Sequence, residues 1–374
     1  MSNELSIKNL GQTKSKIPSI GLGTGTGFKY INKEKEQQLI YVLHKALDLG
    51  LNFIDTAEVY FSGHAEKLIG KAYKKRRDNV FIATKFLPEH SGYEEVLKAA
   101  EGSLKRLQTD YIDLYQIHWP NPVIPLEETV LALETLVKKG HVKFVGVCNF
   151  SLRQLKDVQA ISTLPIVSLQ TEYNLLERSV EHDLLPYCEE NQITLIAYTP
   201  LNSGTIVKNE KNSGILLNLS KKYQKTISQI ILNFLISHPS VTAIPATTNP
   251  THLKENAQST DFVLEKNDKD LLAKTFTPHI AKINTTKIEV TAMEDHTAYS
   301  TLEEARQNKL NFFPSPQMLS EDIKKGDFLK PVKVRRIKKE DSVFAYELVN
   351  GRIRYWAWVM AFGDDKPIPA IIEE

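Results

Sequence analysis

VFIATKF at 80–86, YEEVLKAAEGSLKRLQ at 93–108 and YIDLYQIH at 111–118 are the stretches on which the fold turns. The first and third are short, apolar and rich in β-branched residues, with little alternation. That is the pattern of strands buried on both faces, as in a parallel sheet. The middle stretch sets its apolar residues at helical spacing. Together they read as one strand–helix–strand unit, the connection that parallel strands require.

The same unit recurs in both directions along the chain. Upstream lie IPSIGLGT from Ile17 and LNFIDTA from Leu51; downstream lie VKFVGVCNF from Val142, PIVSLQTEY from Pro165, ITLIAYTP from Ile193 and VTAIPATT from Val241. Most gaps hold a helical pattern. EKEQQLIYVLHKALDLG places Leu39, Ile40, Leu43, Ala46 and Leu47 on one face and ends at Gly50. LEETVLALETLVKKG at 126–140 behaves likewise. Eight strands with helices between them predict an α/β fold, a (β/α)8 TIM barrel of ~250 residues. An open doubly wound sheet is the competing architecture, but no glycine-rich dinucleotide fingerprint opens a strand–turn–helix unit. The glycine-rich GLGTGTGF at 21–28 reads as a turn after the first strand or as a phosphate cradle.

The chain has 374 residues, enough for two or three domains or for one large domain with an appendage. Hydrophobic residues make up 41% and charged residues 25%, which excludes a mainly disordered or collagen-like chain. Lys and Arg total 47 against 45 Asp and Glu, so no global charge draws the chain to nucleic acid or a membrane surface. Two cysteines, Cys148 and Cys188, are too few for a disulfide scaffold. The start, MSNELSIKNLGQ, lacks the apolar core of a signal peptide. No apolar run approaches the ~20 residues of a membrane helix. The expectation is a soluble cytoplasmic protein.

In a barrel of this kind, chemistry belongs at the carboxyl ends of the strands. There the second run ends in Asp55, with Tyr60 five residues on, and the third in Lys85. The fourth ends in His118, the fifth gives Asn149, the sixth Gln170 and the seventh Tyr198. Alone, an Asp after a strand is a helix cap or turn former, and a lone His is a packed or surface residue. Their convergence on one face argues for a site. A phenol with a reference pKa of ~10 is a poor proton donor at neutral pH. A nearby ammonium favours the phenolate, and a carboxylate holds that ammonium in place. A neutral imidazole can orient a carbonyl oxygen. No paired metal-ligand spacing is present, so no metal is expected, and no GxSxG elbow points to a serine hydrolase.

FIDTAEVY, FIATKF, DYIDLYQIHWP, FVGVCNFS, LQTEYNLLER, LIAYTPL and IPATTNPTHLKEN resemble, in order and spacing, the signatures of the aldo-keto reductases over about residues 5–277. The resemblance implies reversible reduction of an aldehyde or ketone by NADPH or NADH. It implies Tyr60 as general acid, with Lys85 lowering its pKa, Asp55 paired with Lys85, and His118 positioning the substrate carbonyl. It gives Asn149 and Gln170 the nicotinamide carboxamide and stacks Tyr198 on the ring. Thr24, Leu201, Thr247, Thr248, His252, Glu255 and Asn256 would line the cofactor groove. Many NADP-using members carry a basic residue where this chain has Ala246, and an arginine at His252; both cations would pair with a 2′-phosphate. Cys148 stands where the family usually has serine and reads as a buried thiol. An alternative reading is a cofactor-binding redox sensor that regulates the remainder of the chain.

That remainder, 279–374, lies beyond the barrel domain of 1–278. KIEVTAM, KPVKVRRI, VFAYELV and PIPAII read as strands, and LSEDIKKG and IRYWAWVMAFG as helices. The run from 310 to 372 resembles the ParB/sulfiredoxin-like fold, a small α+β domain. That resemblance implies a nucleotide or phosphorylated ligand near Gly351 and Arg354, at a helix N-terminus. The basic run Lys330, Lys333, Arg335, Arg336, Lys338 and Lys339 suggests nucleic acid, yet residues 281–374 hold 15 basic and 15 acidic side chains. A solvated or nucleotide-contacting strand face is the preferred reading, and Trp356 and Trp358 read as packing residues.

Overall fold

In the computed structural model, the apolar runs become parallel strands around one axis. The structure describes residues 6–25, 32–208, 210–277, 279–291, 299–310, 312, 314–327, 329–338 and 342–373. It divides into two compact units, residues 1–276 and 277–374.

The first unit opens with an antiparallel hairpin, β1 (Ile7–Asn9) and β2 (Lys16–Pro18). Then come β3 (Leu22–Gly23), β4 (Phe53–Asp55), β5 (Phe81–Phe86), β6 (Ile112–Ile117), β7 (Val142–Cys148), β8 (Ile166–Glu172), β9 (Thr194–Tyr198) and β10 (Val241–Ala243). From β3 to β10 each strand pairs in parallel with the next. Parallel bridges from Ile20 to Ala243 and from Gly23 to Ala246 close the ring. The run from Ile17 is therefore divided between hairpin and barrel. Pro18 removes a ladder donor at the division.

Both faces of the strands are buried, which is why the sequence shows so little alternation. Ile54, Ile82, Tyr115, Val145 and Leu195 pack outward in the large core. Phe53, Ala83, Leu114, Ile196 and Ile244 pack inward, where Leu10 and Ile17 of the hairpin plug the axis. Lys8 secures the hairpin by donating to the carbonyls of Ile236, His238 and Val241 at 2.7, 2.6 and 2.6 Å. Above the plug, Gly146 leaves room for a polar layer. A Cβ there would stand 2.2 Å from Ser168 Oγ, which donates to Gln116 Oε1.

The second unit is a mixed five-stranded sheet ordered β11 (Ile280–Ile283), β15 (Ile368–Glu373), β13 (Val332–Arg336), β14 (Tyr346–Asn350), β12 (Ile288–Glu289). Its core joins Val332, Val334, Leu348, Ile368 and Ala370 to Ile323 and Tyr355 of the helices Pro316–Lys324 and Arg352–Phe362. The strand β11 and a short helix, Leu302–Arg306, add to the elements expected from sequence. Residues 26–28 of the glycine-rich stretch, 292–293 of KIEVTAM and Lys339 lie outside the described residues. No helix among the described residues is long and apolar enough to cross a membrane.

Candidate active site

The inward alternation that builds the plug also builds the site. Two residues beyond Phe53, Ala83 and Ile196 lie Asp55, Lys85 and Tyr198; four beyond Leu114 lies His118. Lys85 is fully buried and donates from Nζ to Asp55 Oδ1 at 2.8 Å and to the Thr56 carbonyl at 2.7 Å. The other Asp55 oxygen accepts from Gln170 Nε2 at 2.8 Å. Lys85 Nζ lies 5.2 Å from the centre of the Tyr60 ring, and that ring stands edge-on to His118 at 6.1 Å. Trp119 stacks on His118 at 3.6 Å.

Burial sets the electrostatics of this cluster. It pulls the Lys85 ammonium down, but Asp55, with Tyr60 and Cys148 adding to it, outweighs that pull, and the net shift is upward. The ammonium therefore stays charged. Burial, with Lys85 adding to it, pushes the His118 imidazole down to about 2, so the ring is neutral across the physiological range. Its Nδ1 is buried without a hydrogen-bond partner. Burial also raises the Tyr60 phenol, against the pull of Lys85. The sequence argument expected Lys85 to lower that phenol. Its pull is present, but desolvation exceeds it, so the resting side chain is a protonated phenol. Burial likewise raises the Cys148 thiol, which makes it an inert group.

A groove of about 1020 Å³ leads away from Tyr60 and His118. Its wall includes Asn149, Gln170, Tyr198, Leu201, Thr247, His252, Glu255 and Asn256. Asn149 sits just past β7 at φ 60°, a left-handed conformation that asparagine tolerates. It donates to the His118 carbonyl at 3.0 Å and accepts from the Tyr198 hydroxyl at 2.9 Å. Thr24 is buried behind the wall, with its hydroxyl donating to the Asp55 carbonyl at 2.9 Å. Thr248 does not line the groove.

A model of the Aldo/keto reductase family matches residues 19–275. The chain belongs to the aldo/keto reductase family. It is an oxidoreductase, and the family match lies in the first unit. Methylglyoxal reductase YeaE of Escherichia coli (strain K12) is 34% identical over 267 residues, covering 70% of this chain and 91% of the relative. The crystallised thermostable aldo-keto reductase Tm1743, in complex with the inhibitor epalrestat, is 41% identical. It superposes with a TM-score of 0.69, over 72% of this chain and 99% of its own. An aldo/keto reductase from Klebsiella pneumoniae, solved with NADP and acetate, is 33% identical with a TM-score of 0.66, over 73% and 96% of the two chains.

Several residues of this aldo/keto reductase's groove escape a reading confined to strand ends. Trp119 directly follows His118. Thr226, Ile227 and Ser228 line the groove at the start of the helix Ile227–Ile236. Their signal was the Thr226–Gln229 capping box, a T-x-x-Q pattern before an apolar run. Gly25 carries the backbone against the phenol. A Cβ on it would stand 2.9 Å from Tyr60 Cζ.

In the second unit, Gly351 adopts φ 97° and begins the helix Arg352–Phe362. Arg354 Nη1 donates to the carbonyls of Lys330 and Pro331 at 2.9 and 2.6 Å. Arg352 Nη1 donates to the Thr291 carbonyl at 2.6 Å. Both guanidinium groups thus tie down main chain. Lys333 pairs with Glu373 at 3.1 Å, and the Arg336 guanidinium lies 5.6 Å from the Tyr346 ring centre. The Trp356 and Trp358 indoles donate to the carbonyls of Tyr299 and Lys366.

Proposed function

We propose that the chain reduces a small aldehyde or ketone, in the 2-oxoaldehyde class, with NADPH or NADH. The observation that carries the proposal is the convergence of the Tyr60 phenol and the neutral His118 ring above the buried Lys85–Asp55 pair, at one end of a long groove. The groove suits a dinucleotide. Its volume reaches the upper end of the ~300–1,000 Å³ of ordinary ligand pockets. A helix N-terminus in its wall favours phosphate. Asn149 and Gln170 would hold a carboxamide, Tyr198 would stack on the ring, and Leu201, Thr247, His252, Glu255 and Asn256 would serve the rest of the cofactor, with Thr24 bracing the wall from behind. Methylglyoxal reduction by the Escherichia coli relative supports the substrate class.

When bound, the reduced nicotinamide supplies the two electrons that the carbonyl carbon takes up. The chain's part is to hold the carbonyl and deliver a proton. His118, kept neutral, hydrogen-bonds the carbonyl oxygen and sets its direction. Tyr60 donates its proton to that oxygen as charge develops there. The phenolate left behind faces the Lys85 ammonium, which burial makes a strong partner. Asp55 keeps that ammonium charged and in place.

Purified protein should oxidise NADPH or NADH with a panel of aldehydes, ketones and 2-oxoaldehydes. Tyr60→Phe should lose that activity while still binding cofactor. Full activity in that variant would sink the mechanism. We further propose a division into a barrel domain, 1–278, and a ParB/sulfiredoxin-like domain, 279–374. The run β14, Gly351 turn, helix and β15 supports the second likeness. The engagement of Arg354 by main-chain carbonyls favours a scaffold over a phosphate site there.

A further inference from the structure

We infer that Glu58 is a positioning residue for Tyr60, an inference that rests on reading Tyr60 as the proton donor. The pairing of β4 with β5 continues past Asp55. Thr56 N–H donates to the Ala83 carbonyl at 2.9 Å and Glu58 N–H to the Lys85 carbonyl at 3.1 Å. The backbone then turns away, and the Glu58 side chain takes its place in the ladder. Its Oε1 accepts the next amide, Leu87 N–H, at 2.6 Å. The same oxygen lies 2.7 Å from His90 Nδ1, and Oε2 lies 3.9 Å from Arg106. With its side chain 8% exposed, Glu58 is a buried carboxylate that ties the loop to the end of β5 two residues before Tyr60.

The loop beyond Tyr60 needs such a hold. Phe61, Ser62 and Gly63 have successive φ values of 53°, 54° and 79°. Two of the three carry side chains that disfavour this conformation, and such a run persists only where its surroundings over-determine it. On the far side, Arg106 packs against Gly63, where a Cβ would stand 2.6 Å from its Cδ. Arg106 Nε donates to the buried Glu66 at 2.6 Å. Glu58 and Glu66 therefore grip Arg106 from either side of Tyr60 in sequence. The clamp fixes where the phenol points. A displacement of about 1 Å there can cost on the order of 100-fold in rate.

The test uses the full chain as Glu58→Ala, Glu58→Gln, His90→Ala and Tyr60→Phe. Hydrogen exchange without cofactor reads the loop directly. In Glu58→Ala, amides 59–65 should exchange at least tenfold faster than in wild type, with those of β6 unchanged. With NADPH and the best carbonyl from the panel, kcat should fall about 10- to 100-fold. Cofactor Kd should stay within twofold. Glu58→Gln, which keeps an acceptor for Leu87 N–H, should recover most of the rate. Unchanged exchange at 59–65, or a kcat within twofold of wild type, overturns the inference. Should Glu58→Ala lose protection throughout the barrel, His90→Ala decides: faster exchange at 59–65 alone supports the clamp, and no change refutes it. A fully active Tyr60→Phe would instead refute the role of Tyr60, whatever the exchange data show for Glu58.

Discussion

Replacing Asp55 with leucine should damage stability and activity by separable routes. Lys85 and Asp55 are 0% and 2% exposed and lie 2.8 Å apart. The substitution leaves the ammonium with the Thr56 carbonyl but no counter-charge. Removing one partner of a buried pair costs ~3–5 kcal/mol, because the other charge stays buried and uncompensated. At ~2–4 °C per kcal/mol for a unit of this size, the Tm of the barrel should fall by roughly 6–20 °C. Adding Lys85→Met removes the stranded charge, so the double variant should return to within about 1 kcal/mol of wild type, since apolar replacement of a whole pair is often neutral. Both variants should lack reductase activity. The single variant should also gain stability as pH rises above neutrality. Burial lowers the unpaired lysine in the folded state, while the unfolded lysine keeps its proton to about pH 10.4, so the unfolded chain binds more protons. Urea denaturation across pH, followed by near-UV circular dichroism, measures the stabilities, and a thermal melt and an activity assay measure the rest. A single variant within 1 kcal/mol of wild type, or a double variant less stable than the single, would refute the reasoning.

Protonation of His118 is disfavoured by the fold, so the unfolded chain gains a proton first as pH falls below about 6.5. Stability should decline from there at up to ~1.4 kcal/mol per pH unit, and His118→Asn should flatten that slope between pH 7 and pH 5 in urea denaturation. Gly25→Ala would push a methyl into the Tyr60 ring, with contacts at 2.9 and 3.0 Å. Its kcat should fall about tenfold with the melting temperature little changed, and an unaltered kcat would show that the ring has room to move. The described wall of the groove includes His252 and Glu255 but no lysine or arginine. The ratio of kcat/KM for NADPH over NADH should therefore stay below about 100-fold, or ~2.7 kcal/mol, and a larger ratio would place a cation on the 2′-phosphate.

The barrel was legible because burial on both faces gives unbroken apolar runs, and because its polar residues cluster where those runs end. Asp55, Lys85, His118 and Tyr198 share the inward alternation of Phe53, Ala83, Leu114 and Ile196, so one periodicity marks both core and site. The division of the run at Ile17 was not legible, since hairpin and barrel strand are both short and apolar there. The direction of the Tyr60 shift needed the enclosing walls, because charge shows in a sequence and desolvation does not. Gly25 and Glu58 escaped for a related reason. One acts through an absent side chain and the other through a side chain that replaces backbone in a ladder, and both effects need coordinates. In the second unit, four-residue β11, with Lys282 between its apolar residues, gave too little pattern to mark it as a strand. The partners of Arg354 lie more than twenty residues away and could not be inferred from its turn.

The most direct measurement of the central claim is a single-turnover comparison of wild type and Tyr60→Phe, each saturated with NADPH and mixed with the preferred carbonyl. A positioned general acid contributes about 10²–10⁴-fold. The account predicts a loss of that size in the rate of cofactor oxidation, with NADPH affinity unchanged by fluorescence titration. A Tyr60→Phe rate within threefold of wild type would contradict it.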